Sequence, residues 1–145
     1  MKSIKKAASI FTAAAAALMS LTGCGTGGSS EAIKIGAIGP VTGAAAIYGQ
    51  AVKNGAEIAI EEVNAKGELK FELKFQDDEN DAEKAVNAYN NLKDWGMQIS
   101  LGTVTTQPCI AVSTESDADH IFALTPSASS TDVLGGQPDK NGNVT

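Results

Sequence analysis

Four short apolar segments, alternating with stretches of helical periodicity, constrain this chain more than any other feature. Ile33 to Ile38 is apolar and β-branched and stops at Gly39-Pro40, as a strand ending in a turn does. From about Ala45 to Lys66, the residues Val52, Ala56, Ala59, Ile60 and Val63 recur at helical spacing. Lys53, Asn54, Glu57, Glu61 and Asn64 lie mostly away from them, and Gly67 supplies a stop. Leu69 to Gln76 alternates, with Leu69, Phe71, Leu73 and Phe75 on one side of a strand. Asp81 is a cap for a helix over about Ala82 to Trp95, with Ala82, Ala85, Val86, Tyr89 and Leu92 on its apolar face. Ile99 to Leu101 reads as a third strand. Pro108 suits the first turn of a helix running to about Ser116. His120 to Leu124 reads as a fourth strand, and Thr131 to Leu134 as a single helical turn.

The order βαβαβαβ predicts an α/β fold: an open parallel sheet with helices on both faces. The expected spatial order of strands is two-one-three-four, with the reversal between strands one and three. Sheets of this kind generally have five or six strands, so residues 33–145 are expected to form an incomplete unit. The chain is then expected to be a fragment, or a shortened product, with a complete four-stranded domain as the alternative.

The first residues belong to a different category. MKSIKK is a charged start, and Ala7 to Leu21 is an apolar run of 15 residues. That length suits a secretory leader and is short for a membrane span of about 20 residues. Leu21-Thr22-Gly23-Cys24 resembles a bacterial lipobox, which implies cleavage before Cys24 and acylation of its sulfur. Residues 1–23 are thus expected to be a lipoprotein signal peptide and 24–32 a flexible, glycine- and serine-rich tether. Loss of the leader removes three of the 11 lysines and none of the 17 acids, so the net charge moves from -6 to -9. If Cys24 is acylated, Cys109 has no disulfide partner.

Charge also bears on partners. All 11 basic residues are lysines, and the chain has no arginine. A nucleic-acid binder needs a basic face and guanidinium forks, so nucleic acid is not an expected partner.

The chemistry of known motifs fails on spacing. Gly36-x-x-Gly39-x-x-x-Gly43 is not the dinucleotide fingerprint, and no Gly-Lys-Ser or Gly-Lys-Thr ends it. Asp77-x-Glu79-x-Asp81 begins like a calcium loop, but Ala82 and Ala88 stand where glycine and glutamate belong. His120, the single histidine, falls at the start of a strand, opposite the edge where parallel sheets do chemistry. Cys109 has no nearby base and reads as a small buried residue. No metal-ligand spacing is present, so neither enzyme activity nor a cofactor is expected.

What remains is a set of hydroxyls. Thr42 follows the first strand, Thr103, Thr105 and Thr106 follow the third, and Ser127, Ser129, Ser130 and Thr131 follow the fourth. All lie at carboxyl ends of parallel strands, where helix N-termini offer free N–H groups. Neutral donors and acceptors there suit a carboxylate and an ammonium group. Threonine and serine are also ordinary cap and turn residues.

Ile35 to Asn64, with GPVTG, Tyr48-Gly49 and GAEIAIEEVNAKG, resembles the leucine/isoleucine/valine-binding class of ABC-transporter substrate-binding proteins. Phe75-Gln76-Asp77-Asp78, GTVTTQP and LTPSASS resemble that class in the same order. The resemblance, over about residues 33–134, implies part of the first lobe of a periplasmic-binding-protein type I fold. It implies an amino acid of the leucine, isoleucine or valine kind held between two lobes and delivered to ABC permease subunits. The protein would sit outside the cytoplasm, lipid-anchored to the membrane through Cys24. Thr106 or Thr105 matches the hydroxyl that meets the ligand carboxylate, and Ser127 a backbone carbonyl offered to the ammonium. Ser129 matches a hydroxyl at the ligand's polar end, and Tyr48 an aromatic lining the pocket. The acid that pairs with the ammonium belongs to a second lobe, which these residues do not supply. A ligand-sensing receptor or regulator of the same fold, and a non-functional truncated product, are the alternatives.

Overall fold

The computed structural model describes residues 31–135. Residues 1–30, which hold the expected leader and most of the expected tether, and residues 136–145 lie outside the described residues. The elements run β1 (Ile33–Gly39), α1 (Ala46–Lys66), β2 (Phe71–Asp77), α2 (Ala82–Asp94), β3 (Ile99–Leu101), α3 (Thr106–Ala118) and β4 (Phe122–Leu124), followed by a 3-10 turn over Thr131–Leu134. The four strands form one sheet in the order β2-β1-β3-β4, and every pairing is parallel. The expected topology is therefore present.

Connectivity dictates where the helices go. The crossover from β1 to β2 runs one way across the sheet, while those from β2 to β3 and β3 to β4 run the other way. Right-handed crossovers in opposite directions place their helices on opposite faces. Accordingly α1 packs against β1 and β2, while α2 packs against β1 and β2 and along α3. The core lies on the α2 face, where Ile38 meets Ala85, Ala88, Tyr89, Leu92, Met97 and Val112. On the other face, Phe71, Leu73 and Phe75 of β2 are only half-buried beneath α1.

Boundaries and faces differ from expectation in instructive ways. Leu69 lies outside β2 and is exposed, because the pairing of β2 with β1 begins at Phe71. Asn64 of α1 fixes that start: it donates to the Phe71 carbonyl at 2.9 Å and accepts from the Phe71 N–H at 2.8 Å. Helix α3 begins two residues before Pro108, which sits inside the first turn where a missing N–H costs nothing. His120 lies before β4 in a left-handed turn, φ 55°, rather than in the strand. On α1 the expected apolar stripe is only partly covered. Val52, Ala56 and Ile60 are half-buried, while Ala59 and Val63 face solvent. Nothing among the described residues flanks α1 on its face of the sheet. On α2 the agreement is closer: Ala85, Tyr89 and Leu92 are buried, joined by Ala88, while Ala82 is exposed.

Two glycines are required by close approach. A Cβ on Gly102, whose φ is +122°, would overlap the carbonyl oxygen of Ile38 in the neighbouring strand. A Cβ on Gly49 would overlap the backbone of Pro40, so this residue lets α1 lie against the end of β1. Gly55, in the same helix, meets nothing. Gly49→Ala is expected to lower stability by about 1–3 kcal/mol through overpacking. Gly55→Ala should raise it by about 0.5–1 kcal/mol through backbone entropy. Equilibrium denaturant unfolding of the two variants beside the wild type checks both signs.

Candidate ligand-binding site

The turn after β1 is held by a neighbour rather than by its own residues. Asp77, at the end of β2, accepts from the Val41 N–H at 2.9 Å and from the Thr42 hydroxyl at 2.5 Å. It also accepts from the Glu79 N–H at 2.9 Å. Gln50 of α1 donates its side-chain amide to the Val41 carbonyl at 3.0 Å. The single proton of the Thr42 hydroxyl is thus committed to Asp77, and that hydroxyl has no donor left for a ligand carboxylate. Gln50 was not singled out from sequence, and Asp77 figured there only in a rejected calcium loop and in the segment that resembles the family, not as the residue that holds this turn. A carboxylate at the end of an edge strand, beside the turn of the next strand, was the available signal.

Tyr48 lies in the first turn of α1, at the same edge of the sheet, with 62% of its surface exposed. The loops after β3 and β4 are tied together. The Thr125 hydroxyl donates to the Thr103 carbonyl at 2.8 Å, and the Ser127 hydroxyl to the Val104 carbonyl at 2.6 Å. Thr125 Oγ1 in turn accepts from the Ala128 N–H at 3.2 Å. Val104 is buried where a Cβ on Gly39 would meet it, so the β3 loop also packs on the end of β1. The ends of β1, β3 and β4 therefore form one continuous edge. Ser129 is exposed along it.

Thr105 and Thr106 stand at the start of α3, next to the strand-order reversal. Thr105 is the N-cap by backbone conformation, yet no side chain caps this helix. Its hydroxyl oxygen is buried and has no hydrogen-bond partner. The first intrahelical bond runs from the Cys109 N–H to the Thr105 carbonyl. Pro108 has no N–H, so the N–H groups of Thr106 and Gln107 are the ones the helix start presents. Together with the positive end of the helix dipole they form a cradle for an anion. Thr103, by contrast, is fully buried and spends its hydroxyl on the Thr105 carbonyl at 3.1 Å.

The acids of the Asp77–Asp81 loop serve the fold. Partial burial opposes ionisation of Asp77, but hydrogen bonds from Thr42, Glu79 and Val41 outweigh it and lower its pKa. Asp78 is completely buried, accepts from the Asn80 N–H at 2.8 Å, and leaves its other oxygen without a partner. Burial, reinforced by the charges of Asp77 and Asp81, raises its pKa. Asp81 caps α2 as expected, accepting from the Lys84 N–H at 2.9 Å. At the opposite edge of the sheet, Asp119 receives Lys93 at 2.7 Å and the Tyr89 hydroxyl at 3.1 Å, joining α2 to α3. A groove of about 570 Å³ borders Ser113, Asp117, Ile121, Ala123, Val133 and Leu134. It runs beside the outer edge of β4 and contains neither the helix N-terminus nor Thr105. We place the site at the carboxyl edge, where the donors converge.

An open parallel sheet with an uncapped helix N-terminus at its strand-order reversal is an α/β unit whose carboxyl edge can accept an anion. The family model described as periplasmic binding protein matches residues 32–144. The chain belongs to the periplasmic binding protein family. It is 38% identical over 104 residues to the Leu/Ile/Val-binding protein homolog 3 of Brucella melitensis, covering 70% of this chain and 28% of that one. The branched-chain amino acid transporter substrate binding protein LivJ of Streptococcus pneumoniae, solved with isoleucine, superposes with a TM-score of 0.69 at 26% identity. That match covers 74% of this chain and 32% of the other. A solute binding protein of R. palustris, solved with benzoate, shares the fold at a TM-score of 0.66 and 24% identity, over 72% of this chain and 29% of that one. The chain thus spans between a quarter and a third of the length of these relatives.

The buried Asp78 gives a signed expectation. A carboxyl whose pKa is raised by folding contributes fully below its unfolded pKa and loses that contribution as pH rises through the folded value. Asp78→Asn removes the ionisable group. The variant should match the wild type in acid and exceed it at neutral pH by roughly 1–3 kcal/mol. Urea midpoints measured across pH check this.

Proposed function

We propose that the whole protein is the extracytoplasmic substrate-binding lipoprotein of an ABC transporter for branched-chain or related amino acids. Residues 33–145 supply part of its first lobe. The observation that carries this reading is the uncapped start of α3. Its free N–H groups and the unpartnered Thr105 hydroxyl sit at the strand-order reversal of a sheet of this family. The amino-acid class rests on what the relatives of Brucella melitensis and Streptococcus pneumoniae are named for or bound to.

In this reading the α-carboxylate rests on the start of α3, with Thr105 or Thr106 as the hydroxyl donor. The Ser127 carbonyl and the Ser129 hydroxyl serve the ammonium end, and Tyr48 lines the side-chain region. No bond is made or broken. Contacts on both lobes favour the closed form, and closure carries the ligand to the permease. Residues 1–23 are the signal peptide, residues 24–32 the tether, and Cys24 the anchor point.

Thr105→Val is the informative variant. Its hydroxyl bonds nothing in the free protein, so its loss should leave unfolding stability unchanged or slightly improved. Leucine, isoleucine or valine affinity of the whole native protein should fall about tenfold, read by isothermal titration calorimetry with benzoate as the contrasting carboxylate. Undiminished affinity would contradict the assigned carboxylate position, and a wild type that binds no amino acid would remove the ligand class. Separately, Cys24→Ser should shift the protein from the membrane fraction to the soluble extracytoplasmic fraction.

A further inference from the structure

We propose that Asp77 is a positioning residue for the ligand site: its carboxylate sets the Pro40–Gly43 turn and, through it, the first turn of α1 that carries Tyr48. The proposal rests on the amino-acid-binding reading above. Two of the three hydrogen bonds on Asp77 come from the turn after β1, from Val41 at 2.9 Å and Thr42 at 2.5 Å. The third, from Glu79 at 2.9 Å, closes its own loop. One carboxylate therefore joins the ends of two adjacent strands at the ligand edge. Helix α1 starts at Ala46, and its N-cap, Ala45, provides no side-chain cap. The local bonds at this start are backbone ones, from the Ala46 N–H to the Gly43 carbonyl at 3.2 Å and from the Tyr48 N–H to the Ala45 carbonyl at 3.1 Å.

The turn itself is gripped by residues beyond it. Asp77 holds Val41 and Thr42, Gln50 holds the Val41 carbonyl at 3.0 Å, and Gly49 rests on Pro40. Tyr48, largely exposed, is not placed by packing around its ring. Its position follows from the helix start, and the helix start follows from the turn. Loss of Asp77 would disturb the pocket wall without removing any ligand contact.

The charged groups around this carboxylate are those of its own loop, Asp78, Glu79 and Asp81, and Lys84 of α2, which pairs with Glu79 at 2.6 Å. The segment from Gly39 to Ile47 contains no ionisable side chain, and Tyr48 is the first in α1. Thr42 binds one carboxylate oxygen while Val41 and Glu79 share the other. An amide in place of the carboxylate keeps one acceptor and turns the other into a donor, which cannot take the Thr42 proton.

The test uses Asp77→Asn and Thr42→Val in the whole native protein. Leucine affinity is measured by calorimetry between about pH 3 and 8, with ligand-free melting temperature and amide exchange at Val41. Asp77→Asn should melt somewhat below the wild type, because a carboxylate whose pKa falls on folding stabilises the fold at neutral pH; it should exchange faster at Val41 and bind leucine about tenfold more weakly, a larger loss than the melting shift accounts for. Because folding lowers the Asp77 pKa, wild-type affinity should hold through the ordinary carboxylate range, and whatever part of a fall below that range comes from Asp77 should be missing in the variant. Thr42→Val should weaken binding in the same direction, and the double variant should lose less than the two single losses combined. Wild-type affinity and pH profile in Asp77→Asn would overturn the proposal, as would a loss that follows the melting temperature alone. If the wild type binds no amino acid, the functional reading fails, and unchanged Val41 exchange in Asp77→Asn would then overturn the positioning role on its own.

Discussion

The pairing of β1 with strands on both sides is the constraint from which the rest follows. β1 takes β2 along its whole length and β3 along Ile35 to Ala37. Ala37 and Ile38 are completely buried. Because the chain leaves β1 in one direction and returns past it in the other, right-handed crossovers must put α1 on one face and α2 and α3 on the other. No connection then covers the gap between the carboxyl ends of β1 and β3. The crevice is a product of chain connectivity before any polar residue is chosen to line it. Gly102 allows β3 to come close enough to Ile38 for this arrangement.

The two faces of the sheet are unequally covered, and this explains what was and was not legible in sequence. Strand and helix order, parallel topology and the buried face of α2 could all be read from periodicity. Periodicity reports which residues call for burial, whereas their actual burial depends on a neighbour being present. On α2 the neighbour is α3 and the core forms. On α1 the described residues offer only β1 and β2, so Ala59 and Val63 stay in solvent. Phe122 and Leu124 of β4 are likewise 68% and 56% exposed. Short boundaries were lost for a related reason. Leu69 continues the alternation of β2 but has no partner in β1, and a strand ends where pairing ends.

The edge hydroxyls make the same point for the site. Their placement at carboxyl ends of strands was readable, because it depends only on element order. Their use was not, because it depends on partners distant in sequence. Thr42 gives its proton to Asp77, 35 residues away, Thr125 to Thr103 at 22, and Ser127 to Val104 at 23. These three hydroxyls tie the loops of the edge to one another. Thr105 is the exception, with its hydroxyl oxygen enclosed and unpaired.

That division of labour matters for what such an edge can hold. A carboxylate taken out of water needs donors that do not have to be pulled away from other partners. Backbone N–H groups at a helix start meet this condition because the helix cannot use them. A lysine at the same place would bring its own desolvation cost and a flexible side chain to order. Neutral, pre-oriented donors hold the charge with less penalty, provided the surrounding loops do not move. The bonds that fasten the β3 loop to the β4 loop, and the grip of Asp77 on the turn after β1, supply that fixity. In the proposed site, residues that touch no ligand therefore count as much as those that do.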